Sequence, residues 1–388
     1  MYIKRSIEVR LLKLLEHFPA VAVLGPRQAG KTTLVKEIRK QLTKDSIYLD
    51  LENPADSGAL DHPFEFLNSV SDKTVIIDEI QRRPDIFPML RSIIDTKRVN
   101  SRFILLGSAS PQLLFLSNET LAGRIVYLEL TTFEHTEIQH LTDFRNHWLY
   151  GGFPDPFILQ DQDIRKEWFK SFISAYTERD LRLLGLNTSS THLHRLLQMI
   201  SISQGGILNS SSLGNSLGVS SPTVSNAISF FDRSFIVRLL QPWYSNIGKR
   251  LIKSPKIYIR DSGIVNYLLN ISDYKNLLRH PHLGNLWEGY VIENTINTLG
   301  DEYKYFFYRT ADGAECDLVI YKGNNCITAI DAKFTPNPKR TKSMSIAIQD
   351  LLPKTAFFVI PECPVPYKIS DNQYVATPWQ LPGLIKEL

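Results

Sequence analysis

Residues 25–33 are Gly-Pro-Arg-Gln-Ala-Gly-Lys-Thr-Thr, and this stretch predicts a phosphate-binding loop. Its spacing, a glycine, four further residues and then Gly-Lys-Thr, is that of the P-loop of nucleotide triphosphatases. An apolar run of strand length, Ala20–Leu24, precedes the loop, and Leu34–Ile38 after it has the pattern of a helix. Because the motif requires this order of strand, loop and helix, we expect ATP to bind here.

The residue types of the loop suit a triphosphate. Gly25 and Gly30 let the backbone bend so that successive N–H groups point at phosphates. The positive N-terminus of the following helix faces the same anions. We expect Lys31 to reach the outer phosphates and the Thr32 hydroxyl to bind Mg²⁺. The predicted cofactor site also includes the other loop positions, which are Pro26, Arg27, Gln28, Ala29 and Thr33. A chance glycine-rich turn is the alternative interpretation.

A pair of carboxylates downstream supplies the second half of the predicted site. Thr74–Ile77 is a short apolar run typical of a buried parallel strand, and Asp78 and Glu79 follow it. Open α/β sheets bind ligands at the carboxyl ends of their strands. We expect Asp78 to hold Mg²⁺, directly or through water, and Glu79 to orient or deprotonate the attacking water. The alternative is a surface carboxylate pair after a core strand.

Two more residues are candidates for the hydrolytic site. A third apolar run, Phe103–Leu106, ends in Gly107 and Ser108. Ser108 is expected either to contact the γ-phosphate or the attacking water, or to cap a helix. Arg124 ends the segment Leu-Ala-Gly-Arg and is a candidate arginine finger for a neighbouring subunit. A structural salt bridge is the alternative for Arg124.

Length and composition limit the remaining possibilities. A chain of 388 residues exceeds one compact core, so two or three domains are expected. The net charge of +4 permits a nucleic-acid partner without requiring one. Three cysteines without C-x-x-C spacing indicate a reducing compartment. No apolar run approaches the roughly 20 residues of a membrane span, and charges interrupt the N-terminal stretch, so we expect a cytoplasmic protein without membrane contact.

The middle of the chain has the pattern of a helix-turn-helix. Ser210–Leu217 predicts a short helix, Gly218 a turn, and Thr223–Phe231 a second helix that begins after Pro222. A strand over 235–240 and nearby basic residues would complete a winged helix with phosphate-binding groups. The basic residues are Lys249, Arg250, Lys253 and Lys256. The second helix contains no Arg or Lys, so a structural lid on the ATPase core is the alternative.

Four residues near the C-terminus have the order of a PD-(D/E)xK nuclease core. Glu288 lies on a predicted helix, Asp317 near the start of a strand, and Asp331 and Lys333 on the strand that follows a hairpin turn at 322–325. The period of two places Asp331 and Lys333 on one face. Both aspartates are expected to bind a divalent cation, Glu288 to add or position a ligand, and Lys333 to steady the attacking water and the developing charge. A hairpin with solvated charges is the alternative.

The chain resembles the prokaryotic AAA+-type ATPases that carry a C-terminal domain of restriction-endonuclease-like type. The resemblance is carried by Gly25–Thr33, Asp78-Glu79-Ile80-Gln81, Gly107-Ser108 and Leu121-Ala122-Gly123-Arg124, and more loosely by Gly151-Gly152-Phe153-Pro154 and 176–180. It implies an α/β fold with three domains: an AAA+ parallel-sheet ATPase domain over 1–160, a helical winged-helix domain over 161–248 and a nuclease-like α/β domain over 249–388. The family's usual acid before x-Lys is glutamate, and Asp331 is shorter, which leaves cleavage open.

Two functional hypotheses follow. The first is an ATP-driven, Mg²⁺-dependent DNA-processing machine that forms a homo-oligomer, with Arg124 completing the site of a neighbouring subunit. The resemblance of the nuclease-like domain to archaeal-type Holliday junction resolvases implies branched DNA as the substrate, in recombination or repair. The second is a nucleotide-gated regulatory module whose C-terminal domain recognises DNA or a protein and cuts nothing.

Overall fold

The computed structural model describes residues 2–110, 123–244 and 252–388. Its first unit is built on a parallel sheet of five strands. These strands are β1 Ala20–Leu24, β2 Ser46–Asp50, β3 Thr74–Asp78, β4 Phe103–Gly107 and β5 Ile125–Glu129. Their order in the sheet is β2-β3-β4-β1-β5. The strands β1, β3 and β4 are buried along their whole length, which explains their continuous apolar sequence. Their carboxyl ends meet at one edge, where the loop and the carboxylates follow.

Helices cover both faces of this sheet. They are α1 Glu8–His17, α2 Lys31–Ile38, α3 Pro54–Gly58, α4 Pro63–Ser69 and α5 Phe87–Thr96, with 3₁₀ turns at Arg39–Gln41, Ile80–Arg82 and Pro84–Ile86. Alternate residues of β1 point to opposite faces. Val21 and Val23 pack with α1 and α2, whereas Ala22 and Leu24 pack with the apolar side chains of α4 and α5. The sheet therefore lies between two apolar layers.

A helical region follows the first sheet. Its helices are α6 His135–Ile138, α7 Phe144–Tyr150, α8 Pro154–Ile158, α9 Gln162–Ala175, a π-helical turn Tyr176–Asp180, α10 Leu181–Leu183, α11 Ser190–Ile202, α12 Ser210–Leu217 and α13 Ser221–Arg233. Strands β6 Val237–Leu240 and β7 Lys256–Ile259 follow as an antiparallel pair. The Ser220 side chain accepts a hydrogen bond from the backbone N–H of Thr223 and so caps α13. Val224 and Phe231 of α13 are buried, and Asn226 is exposed.

The last region contains a mixed sheet of six strands. Its elements are α14 Ser262–Leu268, α15 Tyr274–Leu278, α16 Leu283–Leu299, a 3₁₀ turn Gly300–Glu302, β8 Lys304–Arg309, β9 Glu315–Lys322, β10 Asn325–Ala332, α17 Lys342–Leu351, β11 Thr355–Val359, β12 Tyr367–Ser370, β13 Gln373–Ala376 and α18 Leu381–Lys386. The sheet order is β12-β13-β11-β10-β9-β8. Strands β8, β9 and β10 run antiparallel, whereas β11 pairs in parallel with β10 and β13.

The middle and last regions share one apolar core. One continuous apolar core runs from Phe144 in α7 to Ile385 in α18. The predicted division at 248/249 falls between β6 and β7, which pair with each other. In addition, Ile257 and Ile259 of β7 belong to the same core as the apolar residues of α13. Lys249 and Arg250 of the predicted basic cluster lie outside the described residues. None of the helices in the described ranges combines the length and the apolar character that crossing a membrane requires.

Candidate functional site

The predicted phosphate loop joins β1 to α2, and its glycines have steric reasons. A Cβ atom at Gly25 would lie 2.0 Å from the carbonyl oxygen of Leu130, so no side chain fits. Gly30 has a φ of 93° at the N-cap of α2, a left-handed conformation that glycine adopts without strain. The loop therefore delivers the chain into the N-terminus of α2, where free N–H groups favour anions.

Lys31 lies across the loop and is almost fully buried. Its Nζ donates hydrogen bonds to the carbonyl oxygens of Gly25, at 3.0 Å, and Pro26, at 2.8 Å. Burial lowers the pKa of Lys31 to about 8, and the charges of Glu79 and Asp78 oppose that shift. The loop thus holds a poorly solvated cation, whose charged form a bound phosphate would stabilise strongly.

Asp78 ends β3 and receives three hydrogen bonds. Its Oδ2 accepts from Thr32 Oγ1 and from the Tyr48 hydroxyl, each at 2.6 Å, and its Oδ1 accepts from the backbone N–H of Glu79 at 2.9 Å. Thr32 and Asp78 therefore present oxygen atoms to one point beside the loop. Hard oxygen ligands of this kind suit Mg²⁺, so the residues fit the ion that the motif implies.

Glu79 is held by Gln81, which is positioned in turn by Ser108. It has a φ of 56°, in the left-handed region that residues other than glycine seldom occupy and that is enriched at functional sites. Its carboxylate accepts a hydrogen bond from Gln81 Nε2. The same Nε2 donates to Ser108 Oγ at 2.9 Å, and the backbone N–H of Ser108 donates to Gln81 Oε1 at 3.4 Å. Burial raises the pKa of Glu79, and Lys31 opposes this shift.

The loop also contacts the helical region. Arg27 Nη1 lies 2.5 Å from Asp180 Oδ1, in the π-helical turn, and Arg27 Nη2 lies 3.2 Å from Glu52 Oε1. A cavity of about 240 Å³ lies between the loop and the turn, next to Glu79. It is lined by Arg27, Glu79, Ser108, Tyr176 and Asp180, among others. The hydrolytic side of the loop therefore faces the residues that follow α9.

Arg124 lies at the other end of the sheet. It precedes Ile125, which pairs with Ala20 at the start of β1, whereas the phosphate loop follows the last residue of β1. Its Nε lies 2.5 Å from Asp95 Oδ1 at the end of α5. Arg124 thus makes the salt bridge that was its alternative role and does not reach the loop of its own chain. A role in a neighbouring subunit stays a prediction, and Leu121 and Ala122 lie outside the described residues.

The four residues that the sequence predicts as a nuclease core lie close together, where the start of β9 meets the end of β10. Asp317 Oδ2 accepts a hydrogen bond from the backbone N–H of Ala332 at 2.9 Å, which connects β9 to the end of β10. Lys333 Nζ lies 2.6 Å from Asp331 Oδ1. Glu288, on α16, shares with Asp317 a common neighbour, the ammonium group of Lys256. We call the carboxylates of Glu288, Glu315, Asp317 and Asp331 the acid cluster.

Lys256 of β7 lies among these carboxylates, and the sequence pattern did not predict it there. Its Nζ lies 2.7 Å from Glu288 Oε1 and 2.6 Å from Glu315 Oε1. Burial by itself would lower the pKa of Lys256, but Glu288, Asp317 and Glu315 together raise it above its ordinary value. Within the described ranges, no group of three or more His, Cys, Asp or Glu side chains is arranged to hold a metal ion. The proposed metal ligands Asp317 and Asp331 therefore lie close together without forming such a group.

Comparison with known proteins identifies the first unit. Residues 17–139 match the family model described as "AAA domain". Two further models, both described as domains of unknown function, match residues 141–275 and 283–381. The AAA match spans the loop, Asp78 and Glu79. The predicted AAA+-type ATPase domain is thereby confirmed, and nucleotide hydrolysis follows from the domain together with the loop geometry.

Relatives match along almost the whole chain. The uncharacterized protein Rv2008c of Mycobacterium tuberculosis is 36% identical over 348 residues, which cover 90% of this chain and 78% of the relative. This chain belongs to the same family. The uncharacterized protein MJ1544 of Methanocaldococcus jannaschii is 22% identical over 387 residues, which cover 90% of this chain and 82% of that protein.

Among solved structures, the Walker-type ATPase of Pyrococcus abyssi superimposes with a TM-score of 0.47 at 14% identity, covering 69% of this chain and 96% of that one. A RuvB variant of Thermotoga maritima gives a TM-score of 0.34 at 19% identity, covering 61% and 90%.

Sequence reasoning missed several side chains of this AAA-type ATPase. Tyr48 and Gln81 contact the two predicted carboxylates, and Asp180 contacts the loop. The sequence could have indicated Gln81, because it is a polar residue two positions after Glu79 in a short turn. Tyr48 lies on the neighbouring strand β2, and nothing local marks it. The individual roles assigned to the loop residues, Asp78, Glu79 and Ser108 stay predictions that the geometry accommodates.

Proposed function

We propose that this AAA-type ATPase hydrolyses ATP with Mg²⁺ and uses the cycle to act on DNA, with branched duplexes such as Holliday junctions as the substrate class. One observation carries the nucleotide part of the proposal. Thr32 and Asp78 come from separate elements, yet their oxygens lie 2.6 Å apart beside a buried Lys31. This arrangement serves a metal-bound triphosphate.

The proposed hydrolysis divides the work among few residues. The loop amides and Lys31 bind and orient the phosphates. Thr32 and Asp78 would hold Mg²⁺, which neutralises phosphate charge when it is bound. Glu79 orients the attacking water and takes its proton, a task that suits a carboxylate whose pKa is raised by burial. Gln81 and Ser108 keep Glu79 directed, and Arg124 of a neighbouring subunit completes the site in a homo-oligomer.

The helical region supports a DNA partner. Helices α12 and α13, followed by the pair β6 and β7, have the order of a winged helix. Ser225 and Asn226 are exposed on α13, and asparagine is a residue that reads adenine in a major groove. The net charge of +4 is compatible with a polyanion.

DNA-stimulated ATP turnover tests this proposal. We expect a four-way junction to raise the turnover number more than a linear duplex of equal length, and Lys31→Ala to abolish turnover in both cases. Asn226→Glu should weaken binding to the junction at least fivefold. Thr191→Glu is the matched control, because it adds the same charge at an exposed position at the start of α11. Equal turnover with and without DNA, together with unchanged binding by Asn226→Glu, would rule out the DNA role.

A second candidate function is a nucleotide-gated regulatory module that cuts nothing. The observation in its favour is that the described part of the chain lacks a three-ligand metal group in its C-terminal sheet. The same turnover assay with protein partners in place of DNA separates the two candidates. If junction DNA stimulates ATP turnover and no DNA strand is cleaved, both candidates hold in part. The chain would then bind and remodel DNA without cutting it.

A further inference from the structure

The acid cluster already contains a cation. Lys256 is 2% exposed, and its ammonium lies 2.7 Å from Glu288, 2.6 Å from Glu315 and 3.8 Å from Asp317. An ammonium has three N–H donors and no acceptor. Two of these carboxylates, Glu288 and Glu315, lie within hydrogen-bond distance of the ammonium, and Asp317 lies farther away as an ion-pair neighbour.

The fold leaves this ammonium little freedom to move. Lys256 and Tyr258 are two positions apart on β7 and so point to one face. The Tyr258 hydroxyl donates to Glu288 Oε1 at 2.6 Å, beside the lysine. The backbone of Lys256 pairs with Leu240 of β6. Strand β7 pairs with β6 and not with the six-stranded sheet, and its Lys256 and Tyr258 side chains both donate hydrogen bonds to Glu288 of the acid cluster.

The fourth carboxylate has its own cation. Lys333 Nζ lies 2.6 Å from Asp331 Oδ1. Arg309 Nη1 lies 3.4 Å from the second oxygen of Glu315. Each carboxylate of the acid cluster therefore has a positively charged neighbour, and three cations, Lys256, Arg309 and Lys333, lie among the four carboxylates.

We infer that the Lys256 ammonium takes the place of the divalent metal ion that a PD-(D/E)xK nuclease requires, so that the C-terminal domain binds its partner without metal-dependent cleavage. Mg²⁺ needs ligand oxygens at about 2.0–2.1 Å in octahedral geometry. Here the oxygens of Glu288, Glu315 and Asp317 surround an ammonium, and a divalent ion beside it would meet a like charge in a buried site. The inference concerns the C-terminal domain alone and holds whether or not the chain binds DNA.

Manganese binding to the full chain without nucleotide tests the inference. Lys256→Met keeps the side chain's length and removes its charge. We expect this variant to bind one Mn²⁺ at least tenfold more tightly than wild type, as measured by calorimetry and by the electron paramagnetic resonance signal of free Mn²⁺. The double variant Lys256→Met/Asp317→Asn should return to the wild-type affinity. Lys304→Met is the matched control, since it removes an exposed lysine charge from β8 of the same sheet, and it should bind Mn²⁺ as wild type does.

Folded Lys256→Met that gains no Mn²⁺ would overturn the inference. A second test does not depend on Lys256→Met and remains valid if that variant fails to fold. Asp317→Asn should change wild-type Mn²⁺ binding by less than twofold, and supercoiled plasmid should stay intact with Mg²⁺ or Mn²⁺. Plasmid nicking by wild type that Lys333→Ala abolishes would also overturn the inference. None of these measurements uses ATP or a branched duplex, so they fail or succeed independently of the proposed function.

Discussion

Replacing Glu79 by glutamine tests the hydrolytic site most directly. The substitution keeps the size of the side chain and retains an oxygen that accepts the hydrogen bond from Gln81. It removes the negative charge that would take a proton from water. We therefore expect the fold and the ATP site to persist while turnover fails.

The magnitude follows from the role of a general base. Positioned acid–base catalysis contributes about 10²–10⁴-fold to a rate, so the turnover number should fall by about 10²–10⁴, equivalent to about 3–5 kcal/mol in the barrier. ATP affinity at pH 7 should change by less than about threefold, because Lys31, Thr32 and Asp78 are untouched. Glu79 also helps to keep Lys31 protonated, so its loss should lower the pKa of Lys31 below about 8 and increase proton uptake on ATP binding at pH 8.

Three measurements check this prediction. Phosphate release gives the turnover number, a fluorescent ATP analogue gives affinity, and calorimetry in two buffers of different ionisation enthalpy gives proton uptake. Glu65→Gln is the control, since Glu65 is an exposed carboxylate on α4 of the same domain. If Glu79→Gln hydrolyses ATP within about threefold of wild type while Glu65→Gln is normal, Glu79 is not the base and the assignment of the site is wrong.

Three other predictions concern the wider molecule. Asp180→Asn removes one of the two acidic partners of Arg27, and because both side chains are only partly exposed we expect a loss of about 1 kcal/mol in the free energy of unfolding, measured in urea. His147 is buried and its pKa is lowered to about 3, below the unfolded value of about 6.5, so the unfolded chain takes up a proton first as the pH falls. The wild-type advantage over His147→Gln in unfolding free energy should therefore shrink by about 2 kcal/mol from pH 7 to pH 5 in urea titrations, and a constant difference would contradict this linkage. If Arg124 acts between subunits, Arg124→Ala should lower turnover, and mixing with Lys31→Ala chains, which keep the arginine, should restore part of it; loss confined to thermal stability, through the contact with Asp95, would leave Arg124 a salt bridge.

The ATPase domain was predictable from local sequence because its signals are local. The spacing of Gly25, Gly30 and Lys31 can be read within nine residues of chain, and continuous apolar runs mark buried parallel strands, although the contact that excludes a side chain at Gly25 comes from Leu130. Parallel strands bring their carboxyl ends to one edge, so Asp78 at the end of β3 had to lie near the loop. The helix pair α12 and α13 was likewise marked by its turn, cap and apolar spacing.

Only the tertiary structure decided the partners of charged side chains. Lys256 meets Glu288 and Asp317, which lie more than thirty and sixty positions away, because β7 pairs with β6 and packs against the last region. In the sequence Lys256 was one of four basic residues near a predicted wing, and no periodicity connects it to an acid. Charge pairing depends on distances of a few ångströms between side chains, and folding alone brings distant residues that close. Strand and helix patterns instead depend on residues that are near one another in the sequence. For that reason the sequence was sufficient to predict a nucleotide site, and the structure was necessary to find the cation inside the acid cluster.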